Sequence, residues 1–106
     1  MKTKKLFILL AFSVSQALGQ KTTEKITVHG NCNMCKKNIE EAAIAGGAKL
    51  AKWNKKKQTL TMVFDASSTE VPAIKKSIAA KGYDVEGYPA DDAVYNQLPA
   101  CCRYRK

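Results

Sequence analysis

The order in which hydrophobic periodicity changes along this chain constrains its fold more than any single residue does. The segment EKITVH, Glu24 to His29, alternates, with Ile26 and Val28 on one face, and predicts a half-buried strand. From Asn33 or Met34 to about Ala45 the period lengthens. Cys35, Ile39 and Ala42 or Ala43 recur at helical spacing, Lys36, Lys37, Glu40 and Glu41 lie opposite, and Gly46-Gly47 stops the helix. AKLAKWN and QTLTMVFD then read as a hairpin joined by Asn54-Lys55-Lys56-Lys57, with Leu60, Met62 and Phe64 alternating and Trp53 ambiguous between faces. Ser67-Ser68-Thr69 offers capping hydroxyls to a second helix marked by Val71, Ile74 and Ile78, with Pro72 in its first turn and Gly82 at its end. YDVEGY alternates again before Pro89 and predicts a last short strand.

Strand, helix, strand, strand, helix, strand is the βαββαβ plan of an α+β, ferredoxin-like sandwich: a four-stranded antiparallel sheet with two helices on one face. In that plan the turn entering the first helix and the turn leaving the second lie at the same end. Cys32, Cys35 and Tyr83 are therefore expected to be neighbours.

Lys2, Lys4 and Lys5 precede an apolar run from Leu6 to Phe12, and Ala17 and Gly19 stand three and one before Gln20. This predicts a secretory signal peptide over residues 1–19, too short in its apolar part to span a bilayer. Its removal from the 106-residue chain leaves 87, room for one small domain over 20–88 and a tail over 89–106. Loss of the three lysines also lowers the formal charge from +9 to +6. The one basic cluster, Lys55-Lys56-Lys57, reads as a solvated turn, so no nucleic-acid partner and no stable membrane insertion are expected. The tail places Val94, Tyr95 and Leu98 on one short helical face ahead of Pro99.

All four cysteines, Cys32, Cys35, Cys101 and Cys102, survive that cleavage. Two thiolates separated by two residues on a loop entering a helix can hold one soft ion with both sulfurs, and the helix N-terminus favours the thiolate. Cu(I) and Hg(II) accept two sulfurs, whereas Zn(II) would need Cys101 and Cys102 as well. Three readings of the vicinal pair stand: added ligands at the first site, a second independent thiol pair, or disulfide formation. An extended tail reaches the first site by length alone.

Residues Glu24 to about Tyr88 resemble the heavy-metal-associated domain family of copper chaperones, metal-binding modules of P-type ATPases and periplasmic mercuric-ion-binding proteins. The resemblance is carried by ITVHGNCNMCKKNIEEAA, the Trp53 hairpin and VPAIKKSIAAKGYDV. It implies that Cys32 and Cys35 are the metal thiolates and that Tyr83 stands beside the site where such domains carry Lys, Tyr or Phe. The residues alone read Tyr83 equally as a core aromatic. The family's usual pattern is G-M-x-C-x-x-C, with its Met buried beneath the loop; here Gly30 takes that position and Met34 lies between the cysteines. Met34 is expected to fill the vacated volume in preference to ligating. His29, the only histidine, is expected to end the strand beside the site in preference to ligating. Lys36 and Lys37 offer a basic docking face to an acidic partner.

The expected function is a non-enzymatic, monomeric, periplasmic carrier that binds Cu(I) or Hg(II) and passes it to a membrane transporter or efflux component. The alternative is a thiol-disulfide redox protein in which Cys32 attacks and Cys35 resolves.

Overall fold

The structure is a computed structural model and describes residues 20–105; the expected signal peptide falls outside the described residues. Three strands, β1 (Lys21–Thr27), β2 (Leu50–Asn54) and β3 (Thr59–Asp65), form an antiparallel sheet in the order β1-β3-β2. Two long helices, α1 (Asn33–Ala45) and α2 (Val71–Ala79), are followed by a single turn of helix, α3 (Asp92–Tyr95), and a 3-10 turn over Ala100–Cys102. Among the described residues no helix is long and apolar enough to cross a membrane.

Each expected stripe becomes a buried face. Ile26 and Val28 of the first strand segment and Leu60, Met62 and Phe64 of β3 meet Cys35, Ile39, Ala42 and Ala43 of α1 and Ile74 and Ile78 of α2 in one cluster. Trp53, ambiguous in sequence, joins the core, and its indole Nε1 donates to the Val28 carbonyl at 2.9 Å. Helix α1 closes in a Schellman motif. Ala48 N–H donates back to Ala43 O and Gly47 N–H to Ile44 O, with Gly47 at φ 116°, a conformation glycine adopts without steric cost.

Two expectations are corrected. Thr69 does not cap α2: Glu70 is the N-cap residue, and the Thr69 hydroxyl donates to Gly46 O at the end of α1. With Ser77 donating to Ala42 O, it fastens the two helices together.

The fourth strand is the other correction. Residues 83–88 make only isolated bridges, Val28 to Val85 and Val85 to Tyr88. The chain doubles back there, with Val85 and Tyr88 exchanging both backbone hydrogen bonds (3.1 and 2.7 Å) around Gly87 at φ 79°. A segment folded into its own tight turn has no backbone groups left for a full ladder. Beside β1 it contributes His29 N–H to Asp84 O, Glu86 N–H to Thr27 O, and the Glu86 carboxylate accepting from Thr27 N–H at 2.6 Å.

Candidate metal centre

The loop from β1 enters α1 at Cys32, the N-cap residue, whose carbonyl accepts the first helical hydrogen bond from Lys36 N–H at 3.0 Å. Cys35 lies in the first turn and points into the core with no exposed surface. The two sulfurs are 3.4 Å apart. Cys32 remains half-buried at the edge of the domain.

The tail returns to this edge. Cys101 Sγ and Cys102 Sγ lie 3.4 and 3.5 Å from Cys32 Sγ and 4.0 Å from each other. All four are free thiols. The sulfurs of Cys32, Cys35 and Cys102 all lie within 4.8 Å of one another, a spacing that can hold a metal ion. Cys102 is fully buried and Cys101 exposed. Asn31 Nδ2 donates to the Cys101 carbonyl at 3.1 Å, which ties the metal-loop backbone to the returning tail.

Proximity separates the thiols electrostatically. Burial pushes Cys32 up, but the backbone N–H of Cys35 and the side chains of Cys35, Cys101 and Cys102 together outweigh it and bring Cys32 down to about 6. At neutral pH it is a thiolate, the form that binds metal. Cys102 moves upward, first because it is buried and then because Cys35 and Cys32 stand beside it, while the Tyr83 hydroxyl works the other way. The hydrogen bond with Cys32 likewise raises Cys101. Negative charge is therefore favoured on Cys32 over Cys101 and Cys102.

No protein-family model and no curated protein matches the sequence. Solved structures do. A structure described as "CopZ metallochaperone" superposes with a TM-score of 0.57 at 30% identity, covering 60% of this chain and 98% of that one. A structure described as a putative copper-ion-binding protein from Bacillus anthracis str. Ames gives a TM-score of 0.57 at 25% identity, covering 61% of this chain and 94% of its own. The chain belongs to the heavy-metal-associated domain family.

Against the pattern of that heavy-metal-associated family, the residues around the thiols redistribute. Tyr83 is fully buried, accepts from Asn38 Nδ2 at 3.0 Å, and has its hydroxyl pKa raised, chiefly by burial, with Cys102 and Cys35 adding to the rise. It is core aromatic and neighbour of the thiols at once. Met34, expected to fill the space left by the missing Met, is instead 50% exposed. It sits one helical step from Cys35 and so turns toward solvent. Trp53 and Ile39 occupy the space beside Gly30: a Cβ there would meet Ile39 Cδ1, Trp53 Cη2 and Trp53 Cζ2, each at 3.0 Å. His29 is exposed and stacks on Tyr104, ring centroids 6.3 Å apart. The Lys36 ammonium, partly exposed, pairs with Glu40 and donates to Trp53 O at 3.2 Å. Lys37 is exposed.

Sequence reasoning missed Asp84, Tyr104 and Arg105, which fasten the tail. Arg105 Nε and Nη2 fork onto Asp84 Oδ2 and Oδ1 at 3.0 and 2.7 Å, and Nη1 reaches Asp92 at 2.8 Å. The Tyr104 hydroxyl donates to Gly82 O at 3.0 Å and accepts from Asp84 N–H at 2.6 Å. No motif signals an isolated ion pair 21 residues apart in the chain.

Proposed function

We propose that this protein is an exported, non-enzymatic carrier of a soft metal ion, copper(I) foremost. It would take the ion up through Cys32 and Cys35 and hand it to a membrane transporter or efflux component. The observation that carries the reading is the thiol cluster at the start of α1, in a fold shared with structures named for copper handling. Thiolates are soft donors and match Cu(I) better than any hard cation. Cys32, already ionised near neutrality and half-buried, offers the first bond to an incoming ion. An exposed edge suits transfer, because a partner's thiolate can attack before the last protein-metal bond breaks. Hg(II) shares the donor preference, and Zn(II) would require Cys101 and Cys102 to join the same ion. Export to the periplasm is supported by Lys2, Lys4, Lys5 and the apolar run that follows them.

The test is metal titration of the reduced protein with Cu(I), Hg(II) and Zn(II), with and without Cys32→Ser and Cys35→Ser together. Tight Cu(I) binding lost in the double variant is the expected result. Unchanged binding in that variant, or none in the wild type, refutes the carrier. An ionised Cys32 beside a buried Cys35 also suits an attacking and a resolving thiol. Catalysed reduction of insulin disulfides would establish that second reading.

A further inference from the structure

The shared fold covers 60% of this chain, while nearly the whole of the copper-handling neighbour is used. Two further sulfurs reach the thiols of α1 from the tail. We propose that the segment from Asp92 to Arg105 is a ligand arm, which rests on the carrier reading above: Cys102 completes a three-sulfur site with Cys32 and Cys35, and Tyr104 and Arg105 hold it there as positioning residues.

The placement of Cys102 is the first argument. Its sulfur is fully buried and shares with Cys32 and Cys35 a mutual spacing within 4.8 Å, whereas Cys101 faces solvent. Coordination geometry is the second. With metal-sulfur bonds of ~2.3 Å, a linear ion holds two sulfurs ~4.6 Å apart and a trigonal ion holds three ~4 Å apart. Cys32 and Cys35 at 3.4 Å, and Cys32 and Cys102 at 3.5 Å, lie far short of the linear spacing and on the side of a site with more than two sulfurs; the exposure of Cys101 and the mutual spacing of the other three select three. Two-coordinate binding would force the CxxC pair open against the packing of a fully buried Cys35.

The tail is also fastened in place. Asp84 directly follows Tyr83, so the anchor of the arm and the aromatic beneath the thiols share one short turn. The guanidinium of Arg105 spans both Asp84 oxygens, donates to Ala90 O at 2.7 Å and lies 4.3 Å over the Tyr95 ring. The Tyr104 ring stacks on Tyr83 and His29 and meets Tyr95 edge-on. Planar, bidentate pairing fixes direction as well as distance, which a lysine at the same position would not do. Fastened two and three residues beyond Cys102, the arm loses the rotational freedom that would otherwise oppose ligation by a tail sulfur.

When Cu(I) binds, the ion keeps its oxidation state, a bond forms to the sulfur of each of Cys32, Cys35 and Cys102, and every ligating thiol that still carries a proton releases it to solvent.

The experiment is X-ray absorption of the reduced, full chain loaded with one equivalent of Cu(I), alongside competition against a chromophoric Cu(I) chelator. Wild type and Cys101→Ser are expected to show three sulfurs, and Cys102→Ser two. Arg105→Gln and Tyr104→Phe should lower the third-sulfur occupancy and weaken Cu(I) binding roughly tenfold, the scale of outer partners that orient ligands. Arg105→Lys should recover little of it. Circular dichroism confirms that each variant is folded; Tyr104→Phe keeps the ring, so at least one variant leaves the packing intact. Two sulfurs in the wild type, three in Cys102→Ser, or loss of the third sulfur in Cys101→Ser overturns the arm. Absence of Cu(I) binding in the wild type overturns the carrier itself, a different result.

Discussion

Replacing Gly30 with alanine should destabilise the domain through Trp53. Gly30 is buried, its N–H donates to Gln58 Oε1 at 3.0 Å, and an added Cβ would lie 3.0 Å from Ile39 Cδ1 and from two atoms of the Trp53 ring. Neither neighbour yields freely. Ile39 is fully buried, and the indole, 3% exposed, is pinned by its hydrogen bond to Val28 O. Overpacking of this kind costs about 1–3 kcal/mol. For a domain of this size each kcal/mol is worth about 4–8 °C, so Tm should fall by roughly 5–20 °C. The assay is thermal unfolding of the reduced, metal-free protein, followed by circular dichroism and by the fluorescence of Trp53, the single tryptophan. The cause is isolated by repeating the substitution in a Trp53→Phe background. Phenylalanine is shorter by the ring atoms that meet position 30, so Gly30→Ala should cost less there, the Ile39 contact remaining, with a coupling of about 1 kcal/mol. A wild-type Tm for Gly30→Ala, or strict additivity in the cycle, would refute the reasoning.

Three further outcomes are expected. Cys32 should react with iodoacetamide at a rate that rises with pH through a midpoint near 6, and a midpoint at the ordinary thiol value would mean that its neighbours do not hold it ionised. The Arg105 hydrogen bonds, ahead of a smaller opposing effect of burial, hold the Asp84 carboxyl below its usual range. The stability it contributes is therefore complete above the unfolded pKa of ~3.9 and lost as pH falls through the depressed folded value. The Tm advantage of wild type over Asp84→Asn should accordingly shrink toward zero in melts taken from neutral pH to pH ~2. Met34→Gln, at a half-exposed position, should change stability by no more than about 0.5 kcal/mol and leave metal stoichiometry unaltered, so a lost metal equivalent would restore the methionine as a ligand.

What the chain's pattern reveals and what it hides divide by sequence distance. The stripes Ile26-Val28, Cys35-Ile39-Ala42 and Leu60-Met62-Phe64 were legible because local periodicity decides which face is buried. YDVEGY misled because alternation looks the same in a long strand and in a tight turn, and only Gly87 at φ 79° shows that the chain reverses. Met34 misled for a related reason. Its chemistry suits a gap, but on α1 it lies with exposed Lys37 and Glu41, and the side chain beside Gly30 comes from Trp53 on another element.

The candidate site obeys the same division. Cys32 and Cys35 announce themselves because their meaning lies in a spacing of three residues. The position of Cys101 and Cys102 depends instead on Arg105 finding Asp84 and Tyr104 finding Gly82, neither of which leaves a periodic trace. Soft-metal chemistry could therefore be read from the chain, and the approach of the tail sulfurs to Cys32 could not, since it goes with a long-range ion pair and an aromatic stack. Such contacts are each modest in energy. Their effect at this site lies in direction: they bring a buried sulfur beside Cys32, whose thiolate Cys35, Cys101 and Cys102 together favour.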